Sequence, residues 1–396
     1  MATDTVLKPD HAAAHTHFIF TAEHEQLRKS IRRFVEKELR PHAAEWEQTT
    51  FPDWVFHRMG ELDLLGLDKP EELGGQGGDY YTSLVLAEEL ARSESGGMAM
   101  GVAVHTDMAM PPIIAFGTPE QKKQWVEPAI RGEKILSIGI TEPDAGSDVA
   151  SIRTRAIYDD AADEYVINGS KTYITNGHRA DVIVLVTKTD PDAGYDGVTL
   201  FIVPLDLPGV IREKKLDKLG MRASDTAQLA FQDVRVPASA VLGEVGKGFY
   251  HIMWELQGER LIMCAGAVAG AQLVFEKTLE YAKQRQAFGR PIANFQVTRH
   301  KFAEMATKIE TARSLTYTTA WRFHNKEYPV REISMAKLYV ARIACEVADE
   351  CIQIHGGAGY MTEVGIERVW RDMRLNRIGA GTDEIMLEVI GKSYGV

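Results

Sequence analysis

A chain of 396 residues is longer than a single hydrophobic core usually supports, so two or three packed units are expected. With 45% hydrophobic and 26% charged residues it has an ordinary globular composition, and no apolar run approaches the roughly 18 residues that mark a membrane span. A net charge of −11 excludes a broad field of Lys and Arg, so neither nucleic acid nor membrane is expected as a partner, and a phosphate-bearing ligand would need local basic pockets.

Residues 1–19 read as a flexible leader: the run MATDTVLKPDHAAAHTHF has two Asp, no Arg and no apolar stretch long enough for a signal. A bacterial cytoplasmic location is the expectation. His11 and His15 stand at i, i+4 with His17 beside them, but no acid or Cys completes a site, and no metal is expected. Cys264, Cys345 and Cys351 are odd in number and lack C-x-x-C spacing, which predicts small buried thiols and no disulfide framework.

Residues 20–134 form the first predicted domain, helical, with apolar residues at helical spacing in Leu27, Ile31, Phe34 and Val35, and again in Leu84, Val85 and Leu90. The Gly pairs of KPEELGGQGGDY (69–80) break it. Over 135–242 the texture changes to short apolar runs such as SIGIT, DVIVLVT and VTLFIVPL, separated by Asp, Gly, Asn and Pro. No helices alternate with them, so an antiparallel barrel or sandwich is predicted. From 243 to 396 the 3.6 period returns, predicting helices over 250–285, 296–325, 333–355 and from 384 onward. The small residues of CAGAVAGA (264–271) allow close helix approach in an up-and-down bundle that can double as an oligomer interface.

Five stretches stand out against this frame. GITEPDAGSDVAS (139–151) is rich in backbone donors and hydroxyls that could hold a polar ligand edge, or is simply a turn-rich linker. SKTYITNG (170–177) puts Tyr173 where it could cover a planar cofactor, or fill a β core. KQRQAFGRPI (283–292) offers Arg285 and Arg290 as a phosphate clamp or a solvated helix end. CIQIHGGAGYMTEVGIERVWRD (351–372) ends a helix in glycines that admit a pyrophosphate or serve as a C-cap. RIGAGTDEIM (377–386) is a glycine-rich bend opening a last helix.

In this order, and over nearly the whole chain from about residue 20, these motifs resemble the acyl-CoA dehydrogenase family, whose K-x-W-I-T-N-G is here KTYITNG, with Tyr173 where Trp is usual. The resemblance implies a mainly α fold with a central β domain: a helical N-terminal domain, a β-barrel middle domain and a C-terminal four-helix bundle. It implies a homotetramer with FAD at subunit interfaces, α,β-dehydrogenation of an acyl-CoA thioester, and an electron-transfer flavoprotein as acceptor. Carried over by position, Ile138, Ile140 and Thr141 would bind flavin, Ser147 would touch flavin and CoA, and Tyr173, Ile174 and Thr175 would lie along the flavin ring. Arg285, Phe288 and Gln296 would reach the adenosine-phosphate half of a neighbouring subunit's FAD, and Gln353, Gly356 and Gly357 its pyrophosphate. Thr382 and Glu384 also match flavin contacts.

The chemistry needs a carboxylate beside the thioester's α-carbon. Many members carry Glu immediately before Gly-Thr in the C-terminal bend, where this chain has Ala380. Members resembling isovaleryl-CoA and long-chain acyl-CoA dehydrogenases carry it on an earlier helix within L-x-x-E-R-L, and LQGERL (256–261) makes Glu259 the expected base. Tyr250, Gln257, Gly258 and Arg260 then match substrate contacts, with Ala380 and Gly381 meeting the substrate through backbone. Glu255, one turn before Glu259, is expected to face solvent or a basic partner, because two carboxyls in one dry pocket would hold one protonated. The ERL context and GMRASDTAQL (220–229) imply a long-chain or methyl-branched acyl group, terpenoid chains included; a short branched isovaleryl type is the alternative, and a flavin monooxygenase on the same fold is a different class.

Overall fold

The strand-rich middle of the chain builds one eight-stranded sheet in the computed structural model, which describes residues 17–396. The leader's residues 1–16, with His11 and His15, lie outside the described residues. The strands are β1 (Leu136–Gly139), β2 (Arg155–Asp159), β3 (Glu164–Thr175), β4 (Val182–Lys188), β5 (Val198–Pro204), β6 (Val210–Lys215), β7 (Thr226–Pro237) and β8 (Val241–Leu242). Their order is β6-β7-β3-β2-β4-β5-β8, with β1 also paired to β4. Most neighbours are antiparallel, as expected, but β1 and β2 each pair with β4 in parallel. Parallel partners need a long connection, and the loop after β1 together with the β2–β3 hairpin supplies it. The first six residues of β4 and of β5 are all buried, so these strands read as unbroken apolar runs.

The chain divides into two compact units. The one holding the sheet comprises 45–79 and 97–262. Its core joins Ala109, Met110, Ile113 and Ile130 from helical segments to Val182, Val184, Leu200 and Ile202 from the sheet. His105 fastens β1 to this layer: its Nδ1 accepts the Leu136 N–H at 3.1 Å, and its Nε2 lies 3.1 Å from the Ala129 carbonyl. That pairing requires a neutral ring, and burial lowers its pKa to about 4.

The other unit comprises 17–44, 80–96 and 263–396. Helix Ala22–Phe34 starts at a capping box between Thr21 and His24, and its Arg28 and Arg32 meet Glu88 and Glu89 of helix Tyr80–Ala91. The core of this unit is a helical bundle in which Ala267, Val268 and Ala271 pack with Ile309, Ala312, Val340 and Ala344. The small residues let the helices pack closely, and a Cβ on Gly270 would have to push aside the Met373 methyl, 2.2 Å away. The helices run Gln296–His324, Val330–His355 and Asp383–Ser393, joined by the later part of Gly248–Gln284, close to the predicted spans. Cys264 and Cys351 are buried free thiols.

Two helical stretches, Gly96–Phe116 and Gly248–Gln284, are long and apolar enough by composition to cross a membrane, where the sequence reading found no such run. Glu255, Glu259 and Arg260 lie buried on the second, and 78% of its most apolar window is inside the protein, which marks it as a core helix.

Candidate active site

In the sheet-bearing unit the loop 139–151 is pinned to β3. The Lys171 ammonium donates to the Ile140 carbonyl at 3.0 Å and to Glu142 Oε1 at 2.8 Å, while the Thr172 N–H donates to the Thr141 carbonyl at 2.9 Å. Glu142 also accepts the Arg153 and Thr154 backbone N–H groups. Burial would raise the Glu142 pKa, but the Lys171 charge and these donors outweigh it and hold the group below its ordinary value. Burial lowers Lys171 to about 8 against the pull of Glu142, so the pair is ionised at neutral pH.

The β3–β7 register slips between Lys171 and Ile174, and Tyr173 takes a left-handed φ of +61°. This bulge turns its ring outward, 69% exposed, and so frees a flat aromatic face beside a loop of backbone donors. Ser137 Oγ donates to the Thr175 carbonyl at 2.6 Å. Ile138, Ile140, Thr141 and Thr175 are half-buried and Ser147 is exposed, leaving their backbone or hydroxyls accessible. The Ile174 side chain is buried in the core, while the bulge sends that of Tyr173 outward.

The early part of helix Gly248–Gln284 carries the carboxyls. Glu259 is 9% exposed and Glu255 3%. Of the two expected settings for Glu255, solvent is excluded: it turns inward with Glu259, with Arg260 as the basic group acting on it. Burial first, then the Glu259 charge, pushes the Glu255 pKa well above its ordinary value; Arg260 pulls it down and Asp107 adds to the rise. Neither carboxyl oxygen of Glu255 completes a hydrogen bond at ordinary geometry among the described residues. Gln257 and Arg260 are buried; the Gln257 amide donates to the Met253 carbonyl and accepts from Arg260 at 3.5 Å. Tyr250 is half-exposed, its hydroxyl 3.3 Å from Asp196.

In the helical unit, Gly356 closes helix Val330–His355 at φ +59°, and a Cβ on it or on Gly357 would meet nothing within 4 Å. Tyr281, Arg285, Ile292, His355, Gly356 and Gly357 line a cavity of about 370 Å³ that brings a guanidinium-bearing residue together with bare glycine backbone. Such a recess suits the phosphates of an extended cofactor. Gln296 and Gln353 are exposed nearby in sequence, and Phe288, at the tip of a two-stranded ribbon, is 96% exposed with φ +51°. The C-terminal bend is held by Asp383, which accepts from Arg377 and Arg342, and by Lys337, which donates to the Gly381 carbonyl. Within it Ala380 has φ +55°, Thr382 caps the last helix by accepting the Ile385 N–H, and Glu384 is exposed.

Reading by residue missed Lys171, Glu142 and Asp107. Lys171 and Glu142 lay inside the quoted motifs, yet their pairing spans 29 residues and has no local signature. Asp107, which burial raises to about 6, sits on a helix that otherwise reads as apolar core.

Residues 21–133, 137–234 and 246–395 match the acyl-CoA dehydrogenase N-terminal, middle and C-terminal domains. The chain is 40% identical over 377 residues to the mitochondrial long-chain specific acyl-CoA dehydrogenase of Sus scrofa, covering 94% of this chain and 87% of that one. It is 38% identical over 388 residues to the mitochondrial isovaleryl-CoA dehydrogenase of Solanum tuberosum, covering 97% and 93%. The crystal structure of an acyl-CoA dehydrogenase from Geobacillus kaustophilus superposes with a TM-score of 0.92 at 42% identity, covering 95% of this chain and 99% of that one. Matched along all three of its domains, this protein belongs to the acyl-CoA dehydrogenase family of FAD-dependent oxidoreductases.

Proposed function

We propose that this enzyme dehydrogenates the α,β bond of an acyl-CoA with a long or methyl-branched acyl group, using Glu259 as base. The observation that carries the reading is the buried Glu259 in LQGERL, paired in the same sequence with a side chain at position 380 that cannot accept a proton. FAD, when bound, supplies the acceptor for the β-hydrogen as hydride. The residues of the chain do the rest. The Glu259 carboxylate removes the α-proton from a buried position that bulk water hardly reaches. Ala380, held in a left-handed turn, is assigned the thioester oxygen through its backbone N–H, which stabilises enolate-like charge whatever the side chain. Ser147, Tyr173 and Thr175 hold the flavin end of the cofactor, and Arg285, Phe288, Gln296, Gln353, Gly356 and Gly357 hold the nucleotide end for a neighbouring copy. A homotetramer passing electrons to an electron-transfer flavoprotein completes the reading; the support for association is Phe288, an aromatic side chain left almost wholly in water.

Anaerobic bleaching of the flavin absorbance with straight and branched acyl-CoAs tests this. Wild type should bleach with at least one long or branched thioester, and a flavin-loaded Glu259→Gln should bleach at least a thousandfold more slowly. Bleaching of Glu259→Gln at the wild-type rate would remove Glu259 from the chemistry, and preference for short straight chains would remove the substrate assignment.

A further inference from the structure

Glu255 is a buried acid that the reaction as described does not use. It lies one helical turn before Glu259, and both of its carboxyl oxygens are enclosed without a hydrogen-bond partner at ordinary geometry. Leaving such a group unsatisfied costs stability, and an apolar residue would fill the space more cheaply. The charged and titratable groups acting on it are Glu259 and Arg260 on its own helix and Asp107 from the segment Val104–Ala109. Asp107 in turn accepts from Thr106 and feels Lys69 and Asp68. The immediate surroundings of Glu255 are thus a carboxyl cluster with one guanidinium beside it.

We propose that Glu255 is a positioning residue for the base, sharing one proton with Glu259 so that the two carboxyls carry a single negative charge. Two carboxylates one helical turn apart in a buried setting do not both ionise readily at neutral pH, and the acid that keeps the proton becomes a donor to the one that loses it. The charge is thereby kept on Glu259, which would otherwise be driven towards its neutral, unreactive form by burial. Glu255 makes and breaks no bond to carbon: the substrate's α-proton goes to Glu259, and the proton on Glu255 is not consumed. Burial and the neighbouring charge, which push the Glu255 pKa upward, agree with this division of roles.

The proposal rests on Glu259 being the base, and the test separates the two. The rate of anaerobic flavin reduction by an acyl-CoA that bleaches wild type is followed from pH 5.5 to 9 in the holoenzyme, in Glu255→Leu, in Glu255→Gln and in Glu259→Gln. Glu255→Leu removes the donor, so the acid limb of the profile should move up by about one pH unit, a tenfold loss of rate below the limb. Glu255→Gln still offers an N–H donor and should return the limb to within about 0.3 of wild type, a rescue that repair of packing alone would not produce. A limb unmoved in Glu255→Leu overturns the proposal while leaving the base in place. Glu255→Gln that retains flavin but reduces it at no pH also overturns it, by making Glu255 itself the base; wild-type rates in Glu259→Gln would show instead that the functional reading has failed. If Glu255→Leu does not fold, the infrared C=O stretch of a protonated carboxyl decides: it should be present in wild type at neutral pH and missing in Glu255→Gln, and its absence from wild type overturns the proposal.

Discussion

The Lys171 ammonium stands 2.8 Å from Glu142 and 3.0 Å from the Ile140 carbonyl, and this one buried cation ties the loop 139–151 to the strand that turns Tyr173 outward. Removing one partner of such a pair leaves the other charge uncompensated, which costs roughly 3–5 kcal/mol. Lys171→Met should therefore lower the denaturation midpoint and leave the purified protein short of flavin, read as the ratio of flavin to protein absorbance. Full flavin occupancy in a destabilised variant would show that the clasp serves the fold alone.

His105 gives a pH dependence with a defined sign. Its folded-state pKa of about 4 lies below the ordinary 6.5, so the unfolded chain takes up the proton first as pH falls. The stability this neutral ring contributes is complete above pH 6.5 and is lost towards pH 4, by roughly 3 kcal/mol in all. In His105→Gln the amide can still bridge the Leu136 N–H and the Ala129 carbonyl but does not titrate. Denaturant midpoints measured between pH 7 and pH 4 should fall less steeply in the variant, and parallel slopes would contradict the assignment.

Gly101 marks a close approach. A Cβ there would stand 2.7 Å from the Phe51 ring and 3.1 Å from Asn176 Oδ1, while the Asn176 amide donates to the Gly101 carbonyl at 2.8 Å. Gly101→Val should overpack this point by roughly 1–3 kcal/mol and displace the end of the KTYITNG motif. Thermal unfolding checks the first effect, and flavin occupancy the second.

Phe288 should be covered in the working assembly. Phe288→Ser is expected to weaken association, seen as a smaller mass by light scattering at low protein concentration, and to release flavin more readily on dilution. A mass and a flavin content equal to wild type would place Phe288 outside any subunit contact.

The helix–strand–helix order was legible because period and turn chemistry are local: the apolar spacing of 296–325 and the unbroken VIVLV of β4 each declare themselves within a few residues. The motifs that mark the family, and the exchange of a carboxylate for Ala380 with Glu259 in its ERL context, were also visible in the chain itself. What the tertiary structure decided is which way side chains turn and which distant segments meet. The repulsion of two carboxyls in one dry pocket argues for Glu255 facing solvent or a basic partner, but which side of a helix turn is inside is settled only by packing, and packing buries it one turn from Glu259 with Arg260 acting on it. The parallel pairing of β1 with β4, the bulge that buries Ile174 while exposing Tyr173, and the grip of Lys171 on Glu142 all join residues far apart in sequence or depend on sheet register. Their energies come from burial and cross-strand contact, which exist only once the chain has folded.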